Sequence, residues 1–277
     1  MYVKKISKTI VVLLSVLVVF TSCSEDTESE VTDSNADLTL EQSKQAAKTD
    51  EVSTKAFNII ETAFIENEEE KGATTSLFSD CVEITISAEN DITFIILDFG
   101  FGCELNNGNI VAGKIHISYT PIQNDTRNIT YSFEDFYINS RGIEGGGTIF
   151  REHSNASGNP QSTLHKNIVV TFESGLVATV DGVRVREWVE GVGSGTWMDN
   201  VYLVTGNWTA DFSSGFSRSV LVTYSLRREA TCQFFVSGTV DVSRNDISGT
   251  LNYGDGTCDN TAILTVNGNE YIITLQH

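Results

Sequence analysis

Proline is almost missing from this chain: Pro121 and Pro160 are the only two in 277 residues. A proline cannot donate to a strand ladder, so long stretches are left free to pair. Histidine is scarce too. His116, His153, His165 and His277 are the full set, and none has the H-E-x-x-H spacing of a helical zinc site. No G-x-S-x-G is present, which removes the nucleophile elbow. Basic side chains are few: 18 Lys and Arg stand against 37 Asp and Glu, for a formal charge of -19. A field of that sign repels phosphate backbones and anionic headgroups, so no nucleic-acid partner is expected. The Gly-x-Gly stretches precede no lysine and no helix start, so they cradle no phosphate. Asp98-Phe99-Gly100 spells a kinase triplet, but no kinase lysine or catalytic-loop motif accompanies it. No cofactor and no metal is expected.

What is present begins with the compartment. Lys4, Lys5 and Lys8 precede an apolar run from Ile10 to Phe20, too short to span a bilayer as a mature helix. Phe20-Thr21-Ser22-Cys23 closes it. Small residues before a cysteine resemble the lipobox of bacterial lipoproteins. The resemblance implies that residues 1–22 are removed and that Cys23 carries the lipid. Two or more acyl chains make such an anchor stable, at about 0.8 kcal/mol per buried methylene. The competing reading is an ordinary secretory signal with Cys23 a free thiol. Ser24-Glu25-Asp26 resembles the surface-export signal of Bacteroidota lipoproteins. The expected place is the outer membrane, exposed at the surface, with the periplasmic face as the alternative. Loss of the three leader lysines takes the formal charge from -19 to -22.

Residues 23–37 hold the cysteine and a Ser, Asp, Glu, Thr and Asn tether with little to bury. Such a composition cannot offset ordering entropy. Residues 38–76 change character. Ala56, Phe57, Ile59, Ile60, Ala63 and Phe64 recur at helical spacing, and the pattern predicts a helix over about 50–69 with Asp50 as N-cap. That helix either packs on the main domain or docks a partner.

Residues 77–277 read as one β domain. Tyr202, Val204, Gly206, Trp208, Ala210 and Phe212 alternate with mostly polar residues. So do Val220 to Leu226, Phe234 to Val242 and Ile247 to Tyr253. Period two over successive segments argues for antiparallel strands with one buried face. Asp181-Gly182 and Asn267-Gly268 are placed as type I′ hairpin turns. The phase slips between Phe133 and Phe136, which predicts a bulge at Glu134-Asp135. The expected fold is all-β: a long antiparallel meander curved into a sandwich or an incomplete barrel, with one N-terminal helix.

One unit occurs twice. Leu97-Asp98-Phe99-Gly100-Phe101-Gly102-Cys103 is similar to Leu251-Asn252-Tyr253-Gly254-Asp255-Gly256-Thr257-Cys258. Cys81 and Cys232 precede the two copies at similar spacing. Four cysteines in an oxidising compartment allow three pairings. The repeat selects Cys81 with Cys103 and Cys232 with Cys258. The lipobox, the two Cys…Gly-x-Gly…Cys units, "DGVRVREWVEG", "DNVYLVTGNWT" and "YGDGTCDNTAILTVNGNEYIITL" resemble a group of uncharacterised Bacteroidota lipoproteins over about residues 77–277. The resemblance implies an extracytoplasmic β-rich protein and carries over no catalytic residue.

Chemistry rests on a few side chains. Asp255 and Asp259 could serve calcium, but the further acids and the closing glutamate of a calcium loop are missing. The preferred reading is a stapled corner whose acids cap backbone amides. Glu187 and Glu190 flank Trp188, and Asp199 follows Trp197. Carboxylates beside tryptophans suit a glycosidase or a glycan binder. Trp188, Trp197 and Trp208 are therefore the candidate ligand platform. The expected function is a non-enzymatic envelope lipoprotein acting as a binding or structural module. The partners expected are the membrane, through the lipid, and a glycan or an outer-membrane protein. A glycan-active surface protein is the alternative.

Overall fold

The computed structural model describes residues 40–69, 75–244 and 247–275. Cys23, the leader and the acidic tether lie outside them. The described residues belong to one compact unit, 36–277.

One helix leads into a long run of strands. Helix α1 (Leu40–Phe64) ends in a wider π turn, Ile65–Glu69. Then follow β1 (Glu83–Glu89), β2 (Ile92–Asp98), the short β3 (Cys103–Glu104), β4 (Ile110–Tyr119), β5 (Thr126–Ile138), β6 (Arg141–Glu152) and β7 (Gln161–Thr171). After these come β8 (Val177–Glu190), β9 (Val201–Phe212), β10 (Ser217–Glu229), β11 (Phe235–Arg244), β12 (Ile247–Asp255), β13 (Thr261–Val266) and β14 (Asn269–Thr274). All belong to one antiparallel sheet of fourteen strands in chain order, with β3 set off on β4. The all-β meander and its N-terminal helix are as the alternation predicts. The sheet does not close on itself: β1 and β14 are its two ends.

The sheet curls because of what its inner face holds. Seven consecutive strands, β5 to β11, each send a side chain to α1 or its terminal turn. Laid flat, seven strands span about 29 Å, and α1, with 25 residues, is about 37 Å long. With its terminal turn it crosses them from Gln42 at β11 to Glu68 at β5. The sheet also wraps around the helix. The helix is accordingly buried almost all round, and Phe57, Ile59, Ile60 and Phe64 are at most 3 % exposed. The Phe64 ring meets Tyr119 edge-on at 5.2 Å.

Local chemistry explains the details. At Asn267-Gly268 both residues have positive φ between the paired Val266 and Asn269, so the expected hairpin forms. The expected bulge forms too. Asp135 has φ 46°, and the register of β5 shifts against both neighbours. Its partner is Gly113, where a Cβ would stand 2.0 Å from the Asp135 carbonyl oxygen.

Two expectations are corrected. Asp181-Gly182 is not a turn but lies inside β8. Gly182 is there because Trp208 packs across it; a Cβ would come within 2.6 Å of the Trp208 Cβ. The helix starts at Leu40, about ten residues before the position read as its cap. Asp50 is mid-helix and buried.

Cys81 is bonded to Cys103 and Cys232 to Cys258, closing separations of 22 and 26 residues. The first bridge sits at the β1–β4 end of the strand order, the second at the β11–β13 end. Asp255 Oδ1 accepts from the Thr257 amide at 3.2 Å, and Asp259 Oδ1 accepts from the Thr261 amide at 2.8 Å. Both acids cap their own turn.

Candidate functional site

Trp188 and Trp208 do not form a surface platform. They are 1 % and 3 % exposed and belong to the core. Trp188 shares the alternation of Arg184 and Arg186, a polar face by sequence, yet those arginines are buried as well. The polar face is the inner face.

That face carries a seam of charge against α1. Asp50 is paired with Arg218 and accepts from Trp208 Nε1 at 2.6 Å. Glu61 accepts from Ser162 Oγ at 2.5 Å and from Arg151 at 3.3 Å, and its second oxygen is 2.6 Å from Arg186. Arg184 donates to Thr54 Oγ1 at 2.6 Å and Lys166 to Ser53 Oγ at 3.1 Å. Both cations also lie over the Trp208 ring, at 4.8 Å for Lys166 and 4.7 Å for Arg184. Burial, together with the neighbouring Arg184, pushes the Lys166 ammonium well below the ordinary lysine range. Burial likewise raises the Tyr202 phenol to about 12. These groups hold one another and the helix.

The acids flanking the tryptophans do not converge as a catalytic pair. Glu187 accepts from Asn155 and Asn159 at 3.0 and 2.9 Å, and those bonds hold its carboxyl below the usual range. Glu190 pairs with Arg227 at 3.0 Å, and Asp199 accepts from Ser194 at 2.9 Å. His116 lies 2.8 Å from Glu134 on the outer side. His277 is outside the described residues. Among the described residues, no three His, Cys, Asp or Glu side chains are placed to hold a metal.

Trp197 differs from the other two tryptophans. It sits in a 3₁₀ turn, Trp197–Asp199, capped by Thr196, and is only partly buried. Its Nε1 donates to the Ser76 carbonyl at 3.0 Å, which fixes the ring. The ring lines an open pocket of about 340 Å³ with Asn107, Asn109, Arg228, Thr231 and Gln233. The asparagine turn follows Cys103, and Thr231 and Gln233 bracket Cys232, so the two stapled units flank one pocket. The Asn107 amide oxygen accepts from Asn109 at 3.2 Å (backbone) and 3.0 Å (side chain), which makes the turn rigid. Arg228 donates to the Phe234 carbonyl at 2.8 Å. Burial, with Arg186 nearby, lowers its guanidinium to about 9. Among the described residues, the buried Arg228 Nε and the Gln233 amide oxygen have no hydrogen-bond partner. The sequence singled out Trp197 but not the amides around it, because they come from segments more than a hundred residues apart. No family model, curated protein or solved structure matches the chain.

Proposed function

We propose that the protein is a lipid-anchored envelope module that binds rather than catalyses. Its Cys23 would carry the lipid at the outer membrane, with the β domain exposed at the surface. The observation that supports this reading is the use made of the reactive side chains. Asp50 and Glu61 on α1, with Ser162 and Lys166 on the strands facing it, are the groups in which general acid–base or nucleophilic chemistry would reside, and they are buried between helix and sheet. The resemblance to Bacteroidota lipoproteins supports the anchor and the extracytoplasmic place. Labelled palmitate should enter the wild type and not Cys23→Ser, and protease added to intact cells should cleave the anchored form. Equal labelling of both chains would overturn the anchor, and protection in intact but not lysed cells would place the domain on the periplasmic face.

The Trp197 pocket favours a saccharide as ligand. A flat ring beside amides and a hydroxyl suits a sugar face and its hydroxyl groups. Trp197→Ala should abolish retention on immobilised glycans that hold the wild type. Retention unchanged in that variant would remove the glycan reading from this pocket.

A further inference from the structure

An open groove lies away from both the seam and the Trp197 pocket. It occupies about 660 Å³ between the first stapled corner and the β4–β5 bulge. Its apolar walls are Phe101, Ile110 and Tyr137, and part of its floor is Ala112 and Gly113. Phe101 is fully exposed, and Ile110 and Tyr137 are about half exposed. Large rings in water are common singly, but a contiguous set around a concavity marks a contact surface.

The corner that presents Phe101 is rigid. The Cys81–Cys103 bridge closes one side. The Phe99 amide donates to the Gly113 carbonyl and the Gly113 amide to the Gly100 carbonyl, both at 2.9 Å. The Gly100 amide donates to Asp98 Oδ1 at 2.9 Å. Tyr137 is held as well: its ring edge lies over Gly142, the residue opposite on β6. A preorganised aromatic surface loses little freedom on binding.

The rim decides what would bind. Asp98, Glu134 and Asp135 stand around the groove with one lysine, Lys114, which is 3.2 Å from Asp98. Glu134 is 2.8 Å from His116, and Asp135 is exposed at the tip of the bulge. The rim is thus net acidic, in a chain that is strongly acidic overall. Aromatic faces beside carboxylates match an arginine or a lysine: the stem packs on the ring, the cation sits over it, and the head reaches the acid. The acidic surface would also speed the approach of such a partner.

We propose that this groove docks a basic segment of a partner protein, with arginine or lysine side chains interleaved with apolar ones. The second copy of the corner supplies the contrast. There Asp255 takes the place of Phe101 and caps its own turn, so the second copy keeps the staple without the ring.

The test uses the full-length chain and a fluorescent decapeptide of alternating arginine and leucine, read by anisotropy. Its counterpart with glutamine for arginine and a neutral glucan hexasaccharide are run beside it. Saturable binding of the arginine peptide is expected. It should weaken about tenfold in Phe101→Ala and comparably in the Glu134→Gln, Asp135→Asn double variant. Asp255→Asn, a charge removed at the other corner, should leave it unchanged. Phe101 is fully exposed, so the melting temperature of Phe101→Ala should match that of wild type. Should it fall instead, the double variant carries the test alone. No saturable binding would overturn the proposal. So would an equal loss in Asp255→Asn, which would mean diffuse attraction to the acidic surface. Equal affinity for the glutamine peptide would overturn the charge match, and hexasaccharide binding lost in Phe101→Ala would make the groove a sugar site instead.

Discussion

Lys114 and Lys166 are lysines of one sheet, and their surroundings push them in opposite directions. Lys114 lies on the outer side, half in water, where Asp98 holds its ammonium above the ordinary range. Lys166 lies inside, where burial and Arg184 push it well below. The contrast extends to the two faces. Outside, Lys114 with Asp98 and Arg227 with Glu190 are ion pairs partly open to solvent. Inside, Arg151, Arg184, Arg186 and Arg218 meet a helix that offers Asp50, Glu61, Ser53 and Thr54. Exposed pairs contribute little because water competes for both partners. Buried pairs gain little net energy over apolar packing, yet breaking one is costly because the remaining charge is stranded. The inner seam therefore seats α1 in one register, whereas the outer pairs decorate a fold already made.

The strongest way to break this comparison is to remove the apolar contacts that the seam accompanies. Phe57→Ala with Phe64→Ala should cost roughly 6 kcal/mol or more, read as the urea midpoint. Unchanged stability would mean that α1 does not belong to the core. Next in size is Glu61→Ala, which strands Arg151 and Arg186 at a cost of about 3–5 kcal/mol; a loss below that of an exposed pair would contradict the seam. Reduction of the two bridges, which close 22 and 26 residues, should remove about 3 kcal/mol each. A chelator should not change the melting temperature.

Smaller effects sharpen the contrast between the two lysines. Lys166→Met should stabilise by about 1 kcal/mol near neutral pH, since it removes an amine whose charged form is opposed by burial and by the neighbouring Arg184. The folded-state pKa of Lys166 lies below its unfolded value, so the unfolded chain binds the extra proton. Wild-type stability from this group therefore rises with pH between the two values. The advantage of Lys166→Met should shrink accordingly as pH approaches about 10; an advantage that grew would reverse the assignment. On the outer face, Glu190→Gln should change stability by less than about 1 kcal/mol. A larger loss would show that the outer pairs also hold the fold.

The alternation of Tyr202 to Phe212, the slip at Glu134-Asp135 and the repeated cysteine unit were legible because each is written in neighbouring residues. The seam was not. Arg184 and Arg186 alternate with valines, and such a strand reads as valines inward and arginines outward. The structure has it the other way, since Arg184 meets Thr54 and Arg186 meets Glu61, each more than a hundred residues earlier. The same distance hid the helix start. Asp50, a polar residue just before an apolar run, has the signature of a cap, and only its pairing with Arg218 shows that it is interior. The valine pattern likewise puts Trp188, in step with Arg184 and Arg186, on a surface, whereas Trp208 falls in the buried alternation of Tyr202 to Phe212. Phe101 was visible in the repeat as a difference from Asp255, but the groove behind it comes from the bulge on a strand about thirty residues later.

The seam seats the helix, and a double-mutant cycle on Asp50 and Arg218 tests this most directly. Asp50→Ala leaves the guanidinium of Arg218 buried without its carboxylate and should cost about 3–5 kcal/mol. Adding Arg218→Met removes the stranded charge, so the double variant should unfold at a higher urea concentration than Asp50→Ala alone. Losses that simply add, or an Asp50→Ala variant as stable as wild type, would contradict a helix seated by buried charge.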